Sequence, residues 1–218
     1  MQNIEIRPAN GRTDLLDIYR FRYSIYHEEM KRPQRYADHS RRLIIDPLDA
    51  CATNLLALED REIVGVVRVN FAKDISLASY ESFYAMPQFG AAHPQRTAMV
   101  TRLMILPRMR GSRLAIDMSA ACYRLGLEHD IDYNFIDCNA HLVRFFKSLG
   151  YRDYQGKRVH EEYGEVTPLV FHLHDKDHLE KIKSPLLPVI AGWPGSKDLS
   201  LGRALTHVMT QKNGEADA

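Results

Sequence analysis

The stretch that decides the fold is TRLMILPRMRGSRLA, residues 101–115. Its β-branched and apolar first half predicts a strand over Ala98–Leu106, and the pattern that follows predicts an amphipathic helix over Ser112–His129. A strand, a turn containing Gly111 and a helix N-terminus form an anion site, because amides without partners and the helix dipole point toward the ligand. The stretch therefore predicts a phosphate-binding loop; the alternative is a plain β–α turn with solvated arginines.

Strands and helices alternate through the rest of the chain, which is typical of an α/β fold. The other predicted strands are residues 3–7, Thr53–Glu59, Ile63–Phe71, Tyr133–Cys138 and Gly164–His174. The other predicted helices are residues 13–30 and Asn139–Leu149, the second with Asn139 as its cap. Residues 31–50 are predicted to be a charged loop, and residues 74–97 to be irregular with a helical turn near Ser79–Tyr84.

The chain is predicted to hold one domain over residues 1–174 and a C-terminal extension over residues 175–218. A helix over 199–210 is considered within that extension, and residues 211–218 are predicted to be disordered.

Acidic and basic side chains nearly balance, with 29 lysines and arginines against 28 aspartates and glutamates. A general nucleic-acid-binding role is not predicted, because it usually needs a clearly basic domain. No apolar run approaches the roughly 20 residues that cross a bilayer, and the first residues lack a basic leader and an apolar signal core. We therefore expect no membrane span and a cytoplasmic location, and we predict no metal site.

The first predicted helix carries two charged residues on its apolar stripe. Arg22 falls near the centre of the stripe and Glu29 close to it, on either side of Tyr26. One interpretation is that the two residues form a structural ion pair, or that their aliphatic carbons pack against the core while their charged groups stay in water. The other is that both side chains line a polar cavity beneath the helix, since burying a charge without a purpose is costly.

Two segments resemble the GNAT acyltransferase superfamily. RMRGSRLA, residues 108–115, resembles its pyrophosphate-binding loop Q/R-x-x-G-x-G/A, with Arg108 and Gly111 at matching positions and Arg113 where a second small residue is usual. NAHLVRFFKSLGY, residues 139–151, resembles its segment N-x-x-x-x-x-F-Y-x-x-L-G-F/Y. The resemblance implies a GNAT-like α/β fold, with a mixed, mostly antiparallel central sheet flanked by helices.

The N-terminal half is similar to one branch of that superfamily, the N-acyl amino acid synthases and acyl-homoserine lactone synthases. The similarity lies in RFRYSIYHEEM at residues 20–30, in Asp46 and Asp49, in GVVRV at residues 65–69 and in the pair at residues 101–102. Members of this branch move a fatty acyl group from an acyl carrier protein, or sometimes from coenzyme A, onto an amine. The resemblance implies an N-acyltransferase with a small-molecule amine as acceptor.

The resemblance also implies where the donor binds. The co-substrate is acyl-CoA or acyl-phosphopantetheine, and no tightly bound cofactor is predicted. The predicted donor-binding residues are Leu103, Ile105, Arg108, Arg110, Gly111, Ser112, Arg113, Asn139 and Phe146. Strand amides near Leu103 and Ile105 are expected to stabilise an oxyanion. The basic loop at residues 31–42 is a possible docking site for an acidic acyl carrier protein; the alternative is a solvated loop.

The acceptor site is predicted from charge. Arg22, Arg68 and Arg102 are expected to point into one cavity with Tyr26 and to hold a carboxylate of the acceptor, because guanidinium groups bind carboxylates with paired hydrogen bonds. The alternative is that they pair with Glu29, Asp46 and Asp49 as a structural network. Glu29 is the first candidate for a catalytic base, followed by Asp46 and Asp49, acting directly or through water.

Two positions depart from the family patterns. Met99 stands where lactone synthases have an acid three residues before the arginine, which favours a different acceptor. Phe146 stands where many GNAT enzymes have a tyrosine that protonates the leaving thiolate. The predicted function is therefore an N-acyltransferase with an amino-acid-like acceptor. The alternatives are an acyl-homoserine-lactone-type signal synthase, or a degenerate module that binds an acyl thioester without turnover.

Overall fold

Ten strands and six helices alternate through residues 4–194, the part of the chain that the computed structural model describes. The strands are β1 (Ile4–Pro8), β2 (Ala37–Asp38), β3 (Leu43–Ile44), β4 (Thr53–Glu59), β5 (Glu62–Phe71), β6 (Thr97–Ile105), β7 (Tyr133–Cys138), β8 (Arg152–Asp153), β9 (Arg158–His160) and β10 (Gly164–His172). The helices are α1 (Gly11–Tyr23), α2 (Ser79–Phe83), α3 (Leu114–Glu128), α4 (Ala140–Leu149), α5 (Lys176–Lys181) and α6 (Leu187–Ala191).

The central sheet has the strand order β1–β4–β5–β6–β7–β10–β8, and β9 pairs with β10. Only the β6–β7 pair in this sheet is parallel; the other pairs are antiparallel. The predicted mixed, mostly antiparallel sheet is confirmed, and β4 and β5 form an antiparallel hairpin within it.

The parallel pair β6–β7 separates partway along its length. Backbone pairing joins Thr97 to Tyr133, Ala98 to Asn134 and Met99 to Phe135, and it stops there. Both strands continue, β6 as far as Ile105 and β7 as far as Cys138. The sheet therefore opens into a V-shaped gap, at which the edges of two strands are left without a ladder partner.

A β-bulge in β6 lies beside this gap. Arg68 of β5 pairs with Thr101, whereas Val66 pairs with Met104, so β6 holds one extra residue between the two pairs. Arg102 takes up the irregularity with a φ of +56°. A bulge places two successive side chains on one face of a sheet, and Thr101 and Arg102 both point toward Arg68 and Asp46 on the α1 side.

Helices cover both faces of the sheet. On one face, α3 and α4 pack over a large apolar core that includes Met118, Ile136 and Phe171. On the other face, α1 packs over Leu56, Val66 and Met104, and the region around α2 packs over a third cluster. The gap between β6 and β7 therefore connects the two faces.

Three sequence-based boundaries differ from the structure. The predicted helix 13–30 begins at Gly11 and changes at Ser24 into a π-helical turn that ends at Glu29. The predicted loop 31–50 contains the β2–β3 hairpin and a 3₁₀ turn at Pro47–Cys51. Strands β8 and β9 were not predicted; they are only two and three residues long and carry little periodic signal.

The C-terminal segment packs on the main core as far as the structure describes it. Leu179, Leu186 and Ile190 are buried in the same cluster as the α3 side of the sheet. The predicted helix over 199–210 and the predicted disorder of 211–218 lie outside the described residues. Within residues 4–194, no helix is long and apolar enough to cross a membrane.

Candidate active site

A cavity of about 720 Å³ passes through the gap between β6 and β7. Its walls come from the gap-facing halves of both strands, from α3 and α4 on one face, and from the π-helical turn, α2 and β9 on the other. A cavity that connects the two faces of the sheet lets a long donor on one side present its reactive end to an acceptor on the other.

The phosphate loop lies at one end of this cavity. After the 3₁₀ turn at Pro107–Met109, Gly111 takes a φ of +80°, which favours glycine, and α3 begins at Leu114. The amides of Gly111, Arg113 and Ala115 donate no hydrogen bond to any residue between 4 and 194. These donors at the start of a 15-residue helix form an anion site.

The loop arginines are paired with acids rather than directed together at this site. Arg108 reaches back to the β4–β5 hairpin, where it binds Glu59, and Glu62 at 2.7 Å. Arg113 is largely exposed and pairs with Asp117 at 3.0 Å. Neither residue lines the cavity. In the described structure, the groups of this loop that are free to bind an anion are therefore its main-chain amides, whereas Arg108 and Arg113 are bound to acids.

Arg110 is the loop arginine that lines the cavity. It donates to both carboxylate oxygens of Glu29, at 2.5 and 2.9 Å, and its Nε donates to the carbonyl oxygen of Ile105 at 3.0 Å. This ion pair joins the end of the π-helical turn to the phosphate loop. Glu29, the first sequence-based candidate for a base, therefore has both oxygens bound to a guanidinium.

The side of the cavity under α3 and α4 is mostly apolar. Its walls include Ile136, Phe145, Phe146, Val166, Phe171 and Leu186. Asn139 begins α4 and also lines the cavity, but it does not cap its own helix as predicted. Its Nδ2 instead donates to carbonyl oxygens of Tyr163 and Glu165, both at 3.3 Å, which ties α4 to the start of β10.

The opposite side holds a buried cluster of three arginines and two aspartates. Arg22 donates to both oxygens of Asp49, at 2.8 and 2.9 Å. Arg68 donates to Asp46 at 2.5 Å and to Asp49 at 3.3 Å. Arg102 donates to Asp46 through Nε at 3.1 Å and through a terminal nitrogen. The structure thus brings together the three arginines that the sequence predicted to meet, with two of the three acids named in the alternative; the third acid, Glu29, is bound to Arg110 instead.

This cluster shows the structural network that the sequence left open as an alternative. Burial raises the pKa of Asp46, but Arg68 and Arg102 outweigh that effect and hold it below the usual carboxyl range. Arg22 is 1% exposed and does not line the cavity, and neither do Asp46 and Asp49. Arg68 and Arg102 do line it. Three guanidiniums against two carboxylates leave one positive charge in excess next to the cavity.

An aromatic and cationic wall adjoins the charged cluster. The hydroxyl group of Tyr163 donates to that of Tyr26 at 3.3 Å, and the Arg102 guanidinium lies 5.7 Å from the Tyr26 ring centre. Arg32 lies 5.4 Å from the Tyr163 ring centre and forms no ion pair with any residue between 4 and 194. Arg32 was not predicted as a site residue, because the sequence shows it only as one cation in a basic loop.

A second polar group was missed entirely by the sequence analysis. Asp137 lines the cavity from β7 and accepts a hydrogen bond from the hydroxyl of Tyr84. His160 and Tyr80 line the cavity nearby, with 3.2 Å between His160 Nε2 and Tyr80 Oη. These residues come from β7, β9 and the α2 region, which are far apart in the chain. No local motif therefore links them.

Ten of the sixteen predicted site residues line the cavity: Tyr26, Arg68, Arg102, Leu103, Ile105, Arg110, Gly111, Ser112, Asn139 and Phe146. The other six do not: Arg22, Glu29, Asp46, Asp49, Arg108 and Arg113. The individual roles assigned to all sixteen residues stay predictions. Among residues 4–194, no group of His, Cys, Asp and Glu side chains is arranged to hold a metal ion.

The splayed parallel pair, the phosphate loop and the through-going cavity define the class of GNAT-like acyltransferases. Solved structures share this fold. FeeM, an N-acyl amino acid synthase from uncultured soil microbes, has a TM-score of 0.63 at 14% identity, covering 82% of this chain and 96% of its own. The acyl-homoserine lactone synthase LasI has a TM-score of 0.62 at 14% identity, covering 79% and 91%. The CoA-dependent synthase BjaI, solved with SAM and isopentyl-CoA, has a TM-score of 0.62 at 18% identity, covering 85% and 91%.

The family is given by the match of residues 17–173 to the model for the N-acyl amino acid synthase FeeM. The chain belongs to this family and is an N-acyltransferase, which transfers an acyl group to an amine. None of the curated proteins matches the chain. The predicted fold class, family branch and reaction type are confirmed.

Proposed function

We propose that this enzyme transfers a fatty acyl group from a phosphopantetheine thioester to the α-amino group of an amino acid. The observation that carries the proposal is the cavity through the sheet, which has unpaired amides at one end and an excess of positive charge at the other. Amides at the start of α3 suit the donor's phosphate. Guanidinium groups on the opposite face suit a carboxylate.

The donor's acyl chain fits the apolar side of the cavity. Phe146, Val166 and Leu186 contribute walls there, and burying methylene groups against such walls is worth about 0.8 kcal/mol each. The thioester carbonyl would then lie in the gap between β6 and β7. Leu103 and Ile105 line that gap, and their strand has no ladder partner on the β7 side beyond Met99. Strand amides there are suited to stabilise the oxyanion.

Arg32 is the residue proposed to bind the acceptor's carboxylate directly. Arg68 and Arg102 contribute positive charge nearby. Arg32 has no acid partner among residues 4–194, whereas Arg68 and Arg102 are already bound to aspartates. The cluster is positive overall, and Met99 supplies no acid that could offset the charge of a sulfonium. The site therefore favours an acceptor with a carboxylate alone over one that carries both a carboxylate and a sulfonium. This supports an amino acid rather than S-adenosylmethionine.

The test is an assay that combines acyl-CoA or acyl carrier protein with a pool of amino acids, read by thiol release and product mass. We expect thiol release that depends on an amino acid, and a product heavier than the amino acid by one acyl group less a hydrogen. Turnover with S-adenosylmethionine alone, giving a lactone, would support the signal-synthase alternative. If no donor gives thiol release, the result would support the alternative of a module that binds an acyl thioester without turnover.

A matched pair of variants, assayed with acyl-CoA as the donor so that carrier docking plays no part, tests the assigned acceptor residue. Arg32→Gln should raise the KM for the amino acid about tenfold, which corresponds to roughly 1.4 kcal/mol, and leave the donor KM unchanged. Arg35→Gln is the control, because Arg35 is an exposed arginine of the same loop whose acid partner, Glu161, is 3.9 Å away. Equal effects of the two variants would contradict the assignment.

The donor is proposed to be carried by an acyl carrier protein. Lys31, Arg35 and Arg41 are exposed on the loop that follows the cavity-lining residue Met30, and opposite charge steers short encounters with an acidic protein. Raising the salt concentration from 50 to 300 mM should therefore lower kcat/KM for the carrier-bound donor more than for acyl-CoA. Equal salt sensitivity would favour coenzyme A.

A further inference from the structure

We propose that Asp137 is the general base of the transfer, an inference that rests on the proposed function. Asp137 is the one carboxylate among residues 4–194 that lines the cavity. It lies on β7 two residues after Phe135, at which the pairing with β6 ends, and so it borders the gap. Phe135 packs on the face opposite α3, and strand alternation places Asp137 on that same acceptor face.

The other acids near the cavity are poorly placed for this role. Asp46 accepts from Arg68 and Arg102, Asp49 accepts from Arg22 and Arg68, and Glu29 accepts twice from Arg110. A carboxylate bound to guanidinium groups is a weak base, because its ionised form is stabilised. Asp137 instead accepts from a neutral hydroxyl, that of Tyr84.

His160 is the other candidate, and its hydrogen bonds exclude it as the base in the observed arrangement. Its Nδ1 accepts from the backbone N–H of Glu162 at 3.1 Å. In a neutral ring the proton is then on Nε2, which donates to Tyr80 Oη at 3.2 Å. Neither ring nitrogen is left to accept a substrate proton. His160 therefore positions Tyr80 at the cavity wall.

The surroundings of Asp137 make it a stronger base than an exposed carboxylate. Burial raises the pKa of Asp137, while the Tyr84 hydrogen bond acts in the opposite direction, and the net shift is upward. A raised pKa brings a carboxylate closer to the pH at which a base accepts protons most effectively. The titratable groups that interact with Asp137 are Tyr80, Tyr84, Cys138, Tyr154 and His160, and Arg68 and Arg102 line the adjacent part of the cavity.

The proposed step balances as follows. The neutral amine attacks the thioester carbonyl, the C–N bond forms, and the nitrogen's extra proton passes to the carboxylate of Asp137, directly or through one water. The C–S bond then breaks, and the thiolate takes up one proton, so that an amide and a thiol are formed and Asp137 is ionised again. No oxidant or further reactant is needed.

The experiment compares Asp137→Asn and Asp137→Glu with the wild type in the thiol-release assay. Asp137→Asn should lower kcat by about 10² to 10⁴-fold, which is the usual contribution of a general base, while the donor Kd stays within twofold. Asp137→Glu should recover part of the rate. The control is Asp153→Asn, an exposed carboxylate on β8 outside the cavity, and it should keep the wild-type rate.

A second variant tests the role of Asp137 through the pH profile, which would not shift if Asp137 were only structural. Tyr84→Phe removes a hydrogen bond that lowers the pKa of Asp137, so the acid limb of the kcat/KM profile should shift to higher pH. The amine titrates equally in both enzymes and does not cause the shift. An Asp137→Asn enzyme with the wild-type rate and an unmoved profile in Tyr84→Phe would overturn the inference but leave the transfer activity standing. A wild-type enzyme without thiol release would overturn the proposed function itself.

Discussion

The two faces of the sheet differ at the gap, because one face buries charged side chains and the other presents apolar side chains to the cavity. Under α1, three guanidiniums and two carboxylates are buried together, and their hydrogen bonds to each other offset the cost of desolvation. Under α3 and α4, the walls of the cavity are mostly apolar and have room for a chain. The comparison teaches that one face buries charge in a closed network of ion pairs, whereas the other leaves apolar side chains lining the cavity.

The largest expected effect tests whether the charged face is also structural. Arg22 is 1% exposed and donates to Asp49 and to Asn54 Oδ1 at 2.6 Å. Arg22→Ala leaves Asp49 buried with a weaker partner, so we expect the free energy of unfolding to fall by about 3–5 kcal/mol in denaturant titrations.

The control for this variant is Arg20→Ala on the same helix. Arg20 is exposed and pairs only with Asp17 at 2.9 Å, so its loss should cost less than about 1 kcal/mol. A similarly small effect of Arg22→Ala would contradict a structural role for the charged face.

The next effect tests the apolar face. Leu186 is 1% exposed in the main core and also lines the cavity. Leu186→Ala should cost about 3 kcal/mol of unfolding free energy and shift the acyl preference toward longer or bulkier chains, measured as kcat/KM over a series of donors.

Leu179→Ala is the matched control for Leu186→Ala. Leu179 is equally buried in the same core cluster but does not line the cavity. It should therefore destabilise the enzyme by a similar amount and leave the chain-length preference unchanged. A shift in preference with both variants would show that the effect comes from general loosening of the core.

The smallest expected effect tests the phosphate loop, where the donor is proposed to bind. Gly111→Asp places a negative charge beside the amides at the start of α3, so the donor KM should rise about tenfold. Gly11→Asp is the control, because Gly11 lies at the start of α1 as Gly111 lies shortly before α3, and both have a positive φ (+74° and +80°) with nothing within 4 Å of an added Cβ. An equal change in donor KM for both would count against the phosphate site.

Much of the fold could be predicted from local pattern. The sequence of β6, Gly111 and α3 carries strand, turn and helix signals in one short stretch, and β4 and β5 are adjacent in the chain. The stripe of the first helix placed Arg22 inward, as the structure shows. The π-helical turn at Ser24–Glu29 was not predicted, because its residues continue an ordinary helical pattern.

The candidate site was predictable only where its residues sit in motifs. The sequence predicted that Arg22, Arg68 and Arg102 meet, but it left open whether they bind a ligand or pair with acids. Pairing distances decide that question, and they depend on the bulge that turns Arg102 toward Asp46. Asp137 and Arg32 carry no local signal at all.

The sequence by itself determined the alternation of strands and helices, the glycine turn before α3 and the inward position of Arg22 on α1, because these depend on residues close together in the chain. The inward position predicted for Glu29 was wrong, since Glu29 is exposed. Only the tertiary structure decided that β6 and β7 separate after Met99, that a cavity joins the two faces, and that Asp137 borders it beside Tyr84 and His160. The physical reason is that a cavity is made by side chains from distant segments, and its walls depend on how those segments pack.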